Sequence, residues 1–216
     1  MSERTELRQV LLIHGLWMPR LSMQWLARRL RELGFATELF GYPTIAGGPQ
    51  AALPLLARRL REHPAHVLAH SLGGLVTLSA LESEPDLPVR RVVCLGSPLR
   101  GSAAARTLAG QAWTRAYLGR SARLLRTGCP PWHGRADVGV IAGRTPLGLG
   151  RYFGRFDGDN DGTVAVEETR LDGLADHVVI PTSHTGLLFS PDALRLAVGF
   201  FRDGRFPVHG SAGPIE

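Results

Sequence analysis

The chain has 216 residues, 44% of them hydrophobic and 20% charged, which suits one folded domain with its own core and excludes a disordered chain. Its formal net charge is +6, and all 25 basic residues are arginines, since no lysine occurs. They are scattered rather than gathered into a stripe with interleaved aromatics, so the charge argues against nucleic acid as a partner; it still suits anionic substrates or a membrane face.

The two cysteines, Cys94 and Cys129, make no disulfide framework; Cys94 falls in the apolar run Val92 to Leu95, where a small buried side chain is expected. The polar, acidic start (Ser2, Glu3, Glu6) does not read as a signal peptide. No apolar run reaches the ~18 residues that a membrane span needs. A soluble, cytoplasmic protein with no stable membrane insertion is the expectation.

Short apolar runs alternate with amphipathic segments, the pattern of βα units around a mostly parallel sheet. Val10 to Ile13 predicts the first buried strand. Over Met23 to Leu33, Leu26, Leu30 and Leu33 recur at helical spacing, with Arg28, Arg29 and Arg31 mostly on the other face and Gly34 as the stop. Phe35 to Phe40 predicts a strand, Gly41 to Pro49 a turn, and Ala51 to Arg61 a second amphipathic helix. His66 to Ala69 (strand), Leu72 to Leu81 (helix) and Val89 to Leu95 (strand) follow. Residues 102–127 are helical in pattern, with Trp113 and Tyr117 on one side. Asp137 to Ala142 predicts a strand, Gly143 to Gly162 a loop, His177 to Ile180 the last strand, and Pro191 to Phe201 a closing helix with proline in its first turn. The Gly/Pro-rich end from Arg202 onward, and 205–216 above all, reads as a loose tail. Without repeats or linkers, residues 1–216 are expected to form one α/β domain: about six mostly parallel strands with helices on both faces.

The chemistry concentrates where strands end. Residues 66–76 run His-Val-Leu-Ala-His-Ser71-Leu-Gly-Gly-Leu-Val, a strand that passes into a helix with almost no room for the turn. A serine there takes a strained backbone conformation that lifts its hydroxyl clear of the sheet, at a helix N-terminus that favours developing negative charge. Small residues two before and two after keep such a turn free of clashes; the usual Gly-x-Ser-x-Gly has Ala69 in its first glycine position and Gly73 in its second. Ser71 therefore reads as a nucleophile, the plainer reading being a helix N-cap.

Upstream, Ile13-His14-Gly15-Leu16-Trp17-Met18 ends the first strand. Acyl transfer needs two N–H groups aimed at the oxygen that becomes negative. The expected donors are Leu72, after the nucleophile, and Leu16 (with Trp17 the lesser choice), Gly15 letting that backbone swing close. Trp17 and Met18 are expected to wall an acyl pocket, or else to pack locally. His14 suits a supporting hydrogen bond rather than the role of base.

With a serine in such an elbow, an acid and then a histidine should follow in chain order. His184 lies in the loop after Val178-Val179-Ile180 and is the expected base; His177 sits at the wrong end of its strand, and His133 and His209 lack supporting context. Candidate acids are Asp157, Asp159, Asp161, Asp172 and Asp176, with Asp161 favoured because Asn160-Asp161-Gly162-Thr163-Val164 couples a turn to an apolar anchor. The same stretch, Asp157-x-Asp159-x-Asp161-Gly162-x5-Glu168, also satisfies the EF-hand calcium-loop pattern. Glycines at 148, 150 and 154 argue against the entering helix an EF-hand needs, so no metal is expected.

Taken together, His14 to Trp17, Ala69 to Gly74, Leu95 to Pro98, Asn160 to Val164 and Ser183 to Leu187 resemble, in order and over almost the whole chain, the lipase/esterase branch of the α/β-hydrolase superfamily, and small bacterial members above all. The resemblance implies a minimal α/β-hydrolase fold, a Ser71–His184–Asp161 triad, no cofactor, and a small-molecule or lipid ester as substrate. The chain is short for this fold, so leading antiparallel strands are not expected; residues 102–127 are the candidate cap, or an ordinary packed helix. Hydrolysis of a thioester or amide is the nearest alternative, and a calcium-binding module built on the 157–168 loop the more distant one.

Overall fold

In the computed structural model, residues 7–44, 48–103, 105, 121–147 and 158–207 are described. Six strands, β1 (Gln9–Ile13), β2 (Ala36–Phe40), β3 (Ala65–His70), β4 (Val89–Leu95), β5 (Asp137–Gly143) and β6 (Asp176–Ile180), form one sheet in the order β2-β1-β3-β4-β5-β6. Every pairing is parallel, with Leu11 opposite Val67, Ala69 opposite Cys94, and Ile141 opposite Val178. Among the described residues the helices are α1 (Gln24–Glu32), α2 (Gly48–Glu62), α3 (Leu72–Ser83) and α4 (Ala122–Thr127) between strands, and α5 (Pro191–Asp203) after β6.

Alternation along the strands divides the apolar residues into two cores. Leu11, Ile13, Val67, Ala69, Val92, Cys94, Val138 and Val140 pack with Leu56 and Leu60 of α2 and with Leu72, Leu75 and Val76 of α3. Their neighbours Val10, Leu12, Leu68, Val93, Leu95 and Ile141 pack on the other face with Leu26 and Leu30 of α1 and with Leu194, Ala197, Phe200 and Phe201 of α5. Burial of both faces is why the central strands read as continuous apolar runs rather than alternating ones.

The strand order reverses direction between β1 and β3. In such sheets the crevice outside the carboxyl ends at that switch point is where ligands bind, because the loops on either side diverge there. His14 follows β1 and Ser71 follows β3.

Several boundaries differ from expectation. A 3-10 turn over Arg20–Met23 precedes α1. Helix α2 begins at Gly48 rather than Ala51. Helix α5 is capped by the Ser190 hydroxyl, which accepts from the Ala193 N–H at 3.2 Å, and it continues past Phe201 to Asp203. The reason for the extension is Arg91 on β4, only 7% exposed, whose Nη1 donates to the carbonyls of Phe201 and Arg202 at 2.6 Å each. A cation there satisfies helix-terminal carbonyls and opposes the helix dipole.

The first residues of the expected loose tail are held in place. Phe206 is buried, its N–H donates to Asp176 Oδ2 at 2.8 Å, and its ring lies 4.9 Å from that of Phe200. Residues 208–216 lie outside the described residues, as do 106–120 of the candidate cap with Trp113 and Tyr117. Among the described residues no helix is long and apolar enough to cross a membrane.

On β6, His177 is tied to the 3-10 turn Val166–Thr169: the Thr169 hydroxyl donates to the Val166 carbonyl at 2.6 Å and accepts from His177 Nε2 at 2.8 Å. Burial, with Arg170 adding to it, pushes this imidazole down to about 4.

Replacing Arg91 with Met should cost about 1–3 kcal/mol of stability, read by urea unfolding, because two helix-end carbonyls lose a charged donor. The His177 shift gives stability a pH slope. Unfolded, the imidazole takes up a proton near its ordinary 6.5 and the folded one does not, so stability falls as pH is lowered from 6.5 toward 4. Thermal unfolding of His177→Gln between pH 7 and pH 5 should show a shallower decline than the parent.

Candidate active site

Ser71 occupies the single residue between β3 and α3, with φ 53° and ψ −120°. A non-glycine residue with positive φ is strained, and here the surroundings hold it. Its N–H donates to the Leu95 carbonyl at 2.9 Å, and its own carbonyl accepts from Gly74 at 3.1 Å. The small neighbours are explained by the close approach of β1. A Cβ on Gly73 would stand 2.7 Å from the Ile13 carbonyl oxygen, and one on Gly15 would stand 3.0 Å from Ser71 Cβ. Ala69, by contrast, is a strand residue whose methyl is buried in the core, so alanine fits where glycine is usual.

The loop after β1 is oriented by His14. Its Nδ1 donates to the Gly15 carbonyl at 2.8 Å, and its Nε2 accepts from the Tyr42 N–H at 3.4 Å. Tyr42 stacks on the ring at 4.7 Å and returns its hydroxyl to the His14 carbonyl at 3.1 Å. Burial lowers the His14 pKa against the opposing pull of the Gly15 bond, which keeps the ring neutral and able to accept on one side while donating on the other. In a planar trans peptide, C=O and N–H point in opposite directions. With the Gly15 oxygen turned toward His14, the Leu16 N–H faces away from it and finds no acceptor among the described residues. The Trp17 N–H donates to Thr44 Oγ1 at 3.3 Å, while Trp17 itself has φ 58° and a half-exposed side chain. Met18 is partly buried against the α1–α5 core. The second expected donor, the Leu72 N–H, opens α3, where the first amides have no intrahelical acceptor.

Asp161 and His184 meet directly. His184 Nδ1 donates to Asp161 Oδ2 at 2.7 Å, and the His184 N–H donates to the Asp161 carbonyl at 2.9 Å. Asp161 is 1% exposed and His184 9%. The other carboxylate oxygen, Oδ1, accepts the Thr163 and Val164 N–H groups at 2.9 and 2.7 Å, so the turn after Asp161 aims its side chain. Gly96, following β4 with φ 56°, is where this pair abuts the strand next to the serine's: a Cβ there would stand 3.0 Å from Asp161 Oδ2 and 3.1 Å from His184 Nδ1. Leu95, one residue earlier, carries the carbonyl that holds the Ser71 N–H.

The rival acids are elsewhere. Asp159 and Asp172 are exposed, Asp176 sits at the amino end of β6 bonded to the His177 and Phe206 N–H groups, and Asp157 lies outside the described residues. For a calcium loop, the carboxylates of 161 and 168 would have to turn to the ion. Asp161 is engaged with His184 and two amides, and Glu168 accepts from the Ala165 N–H at 3.0 Å and from the Ala103 N–H. The 3-10 turn that follows is four residues long, not the exiting helix of an EF-hand.

Among the participants with no role in the sequence reading are Tyr42, Thr44 and His70. Thr44, 27 positions from Trp17, is buried, and its carbonyl accepts from the Ser121 hydroxyl at 2.6 Å. His70, beside the nucleophile, has its ring 4.7 Å from that of His184. A polar residue directly after the apolar run Val67 to Ala69 is the one local signal of His70; Thr44 has none.

No protein-family model matches the chain, and no curated protein matches it in sequence. Solved structures do match. The mature form of the lipase BlEst2 from Bacillus licheniformis superposes with a TM-score of 0.69 at 20% identity, over 93% of this chain and 93% of that one. The metagenomic carboxyl esterase MGS0156 gives a TM-score of 0.61 at 20% identity, over 85% of this chain and 66% of that one. NosK from Streptomyces actuosus gives a TM-score of 0.61 at 17% identity, over 91% and 97%. At these identities the likeness is one of architecture, and with its six parallel strands flanked by helices the chain has an α/β-hydrolase-like fold.

Proposed function

We propose that the protein is a serine hydrolase cleaving carboxylic esters through an acyl-enzyme, with Ser71 as nucleophile, His184 as general base and Asp161 as its acid partner. The observation that carries this reading is the 2.7 Å bond from His184 Nδ1 to a buried carboxylate, beyond the same carboxyl ends of the parallel strands as a serine held with φ 53°. With a proton fixed on Nδ1, Nε2 keeps its lone pair and serves as the base. It takes the Ser71 Oγ proton as that oxygen attacks the ester carbonyl. The tetrahedral oxyanion accepts hydrogen bonds from the Leu16 and Leu72 N–H groups, at the positive end of α3. Collapse breaks the C–O bond, and His184 returns the proton to the leaving alcohol. A water, deprotonated by His184, then attacks the acyl-enzyme and releases the acid. Asp161 holds the tautomer and stabilises the imidazolium without taking the proton.

The half-exposed Trp17 indole and the adjoining Met18 side chain follow directly on the oxyanion loop, which favours an apolar acyl group. Lipase and esterase neighbours support an ester as the bond cleaved.

Ser71→Ala should lower p-nitrophenyl ester turnover by about 10⁴-fold or more and abolish labelling by a fluorophosphonate probe. Undiminished labelling of that variant would overturn the assignment. A series of acyl chain lengths offered as esters, thioesters and amides should show the highest kcat/KM on esters. Gly15→Val drives a side chain into Ser71 Cβ and His70, and should reduce kcat by about 100-fold, measured on the ester of highest kcat/KM.

A further inference from the structure

His70 is 1% exposed and stands directly before Ser71, at the end of a strand buried along its length. Its Nε2 lies 3.1 Å from the main-chain oxygen of His184. A carbonyl oxygen only accepts, so the proton of this ring is on Nε2. The Nδ1 atom has no hydrogen-bond partner among the described residues and faces the oxyanion loop, where a Cβ on Gly15 would stand 3.1 Å away.

Resting on the reading of His184 as general base, we propose that His70 is a positioning residue, tethering the main chain of that base to the residue preceding the nucleophile. The N–H and the ring Nδ1–H of His184 both go to Asp161, and its carbonyl goes to His70. Without His70, residue 184 hangs from the acid loop alone and can pivot about it. With His70, one hydrogen bond and one peptide separate the base from Ser71, so the gap between them is set locally rather than through the sheet. The titratable groups facing His70 are His184 from the loop beyond β6, itself bonded to Asp161, and His14 from the end of β1. Burial above all, with the neighbouring His184 adding to it, pushes His70 down to about 3. It therefore stays neutral, and no second cation opposes the imidazolium that forms on His184.

The test uses the full-length protein. Long-range ¹⁵N–¹H NMR should find His70 neutral and protonated on Nε2 at pH 5; a protonated ring or the Nδ1–H tautomer overturns the proposal even if no variant folds. His70→Phe keeps the bulk and loses the donor, and should reduce kcat by about 10- to 100-fold. Its KM should stay within about two-fold, and the acid limb of its kcat/KM profile should move. His70→Gln, which keeps an N–H donor, should recover most of kcat. A folded His70→Phe enzyme with parental kcat and pH profile overturns the tether, and so does an equal loss in the Phe and Gln variants, which would mean packing alone. Should the triad reading itself fail, the parent and Ser71→Ala would label alike, a result independent of position 70.

Discussion

The site depends on how closely the ends of β1 and β3 approach each other. The 2.7 Å separation from the Ile13 oxygen that a Gly73 side chain would suffer, and the 3.0 Å contact with Ser71 Cβ that a Gly15 side chain would make, leave no room for larger residues at either position. That approach is a property of the topology, since β1 and β3 are neighbours across the point where the strand order reverses. It forces the turn at Ser71 into a left-handed conformation, brings the loop after β1 beside it, and walls His70 in between. Strain of this kind costs on the order of 1–3 kcal/mol and persists only where surrounding contacts over-determine the backbone. Here the Leu95 carbonyl and the first turn of α3 do so.

Much of this was legible in the residues. The elbow at Ser71 was, because it rests on stereochemistry within a few positions of the chain. The β strands were, because runs such as Val92 to Leu95 must be apolar to be covered on both faces. The rest depends on bonds between distant positions, which impose no local period. Arg91 reaches carbonyls 110 and 111 residues away and so lengthens α5, and Thr44 anchors a loop 27 residues upstream. Phe206 turns the start of an apparently loose tail into part of the core through the Asp176 carboxylate, 30 residues earlier.

The acidic stretch after residue 157 shows how one set of residue types serves two chemistries. A calcium loop and a carboxylate-bearing turn both need Asp and Asn to accept hydrogen bonds from nearby amides, and both need glycine where the chain reverses. The difference lies in where the free oxygens point. Here Asn160 accepts from the Gly162 N–H at 3.0 Å, Asp161 from two amides and an imidazole, and Glu168 from two amides of different segments. The carboxylates of 161 and 168 turn inward onto the protein rather than converging on a shared point. No pattern of letters distinguishes those cases, because orientation is set by the β5–β6 edge against which the loop folds.

The parallel sheet has a consequence for how activity is acquired. No two of the six described strands are joined as a hairpin, so each pairing closes a long loop before it returns any stabilisation. Ser71 leaves the third strand, whereas Asp161 and His184 leave the fifth and sixth. On the proposed chemistry, a chain that has assembled β1 to β4 presents a nucleophile with no base, and is inert. Recovery of turnover during refolding is thus a reporter of the docking of the last two strands, and a truncated or nascent chain remains silent until they arrive.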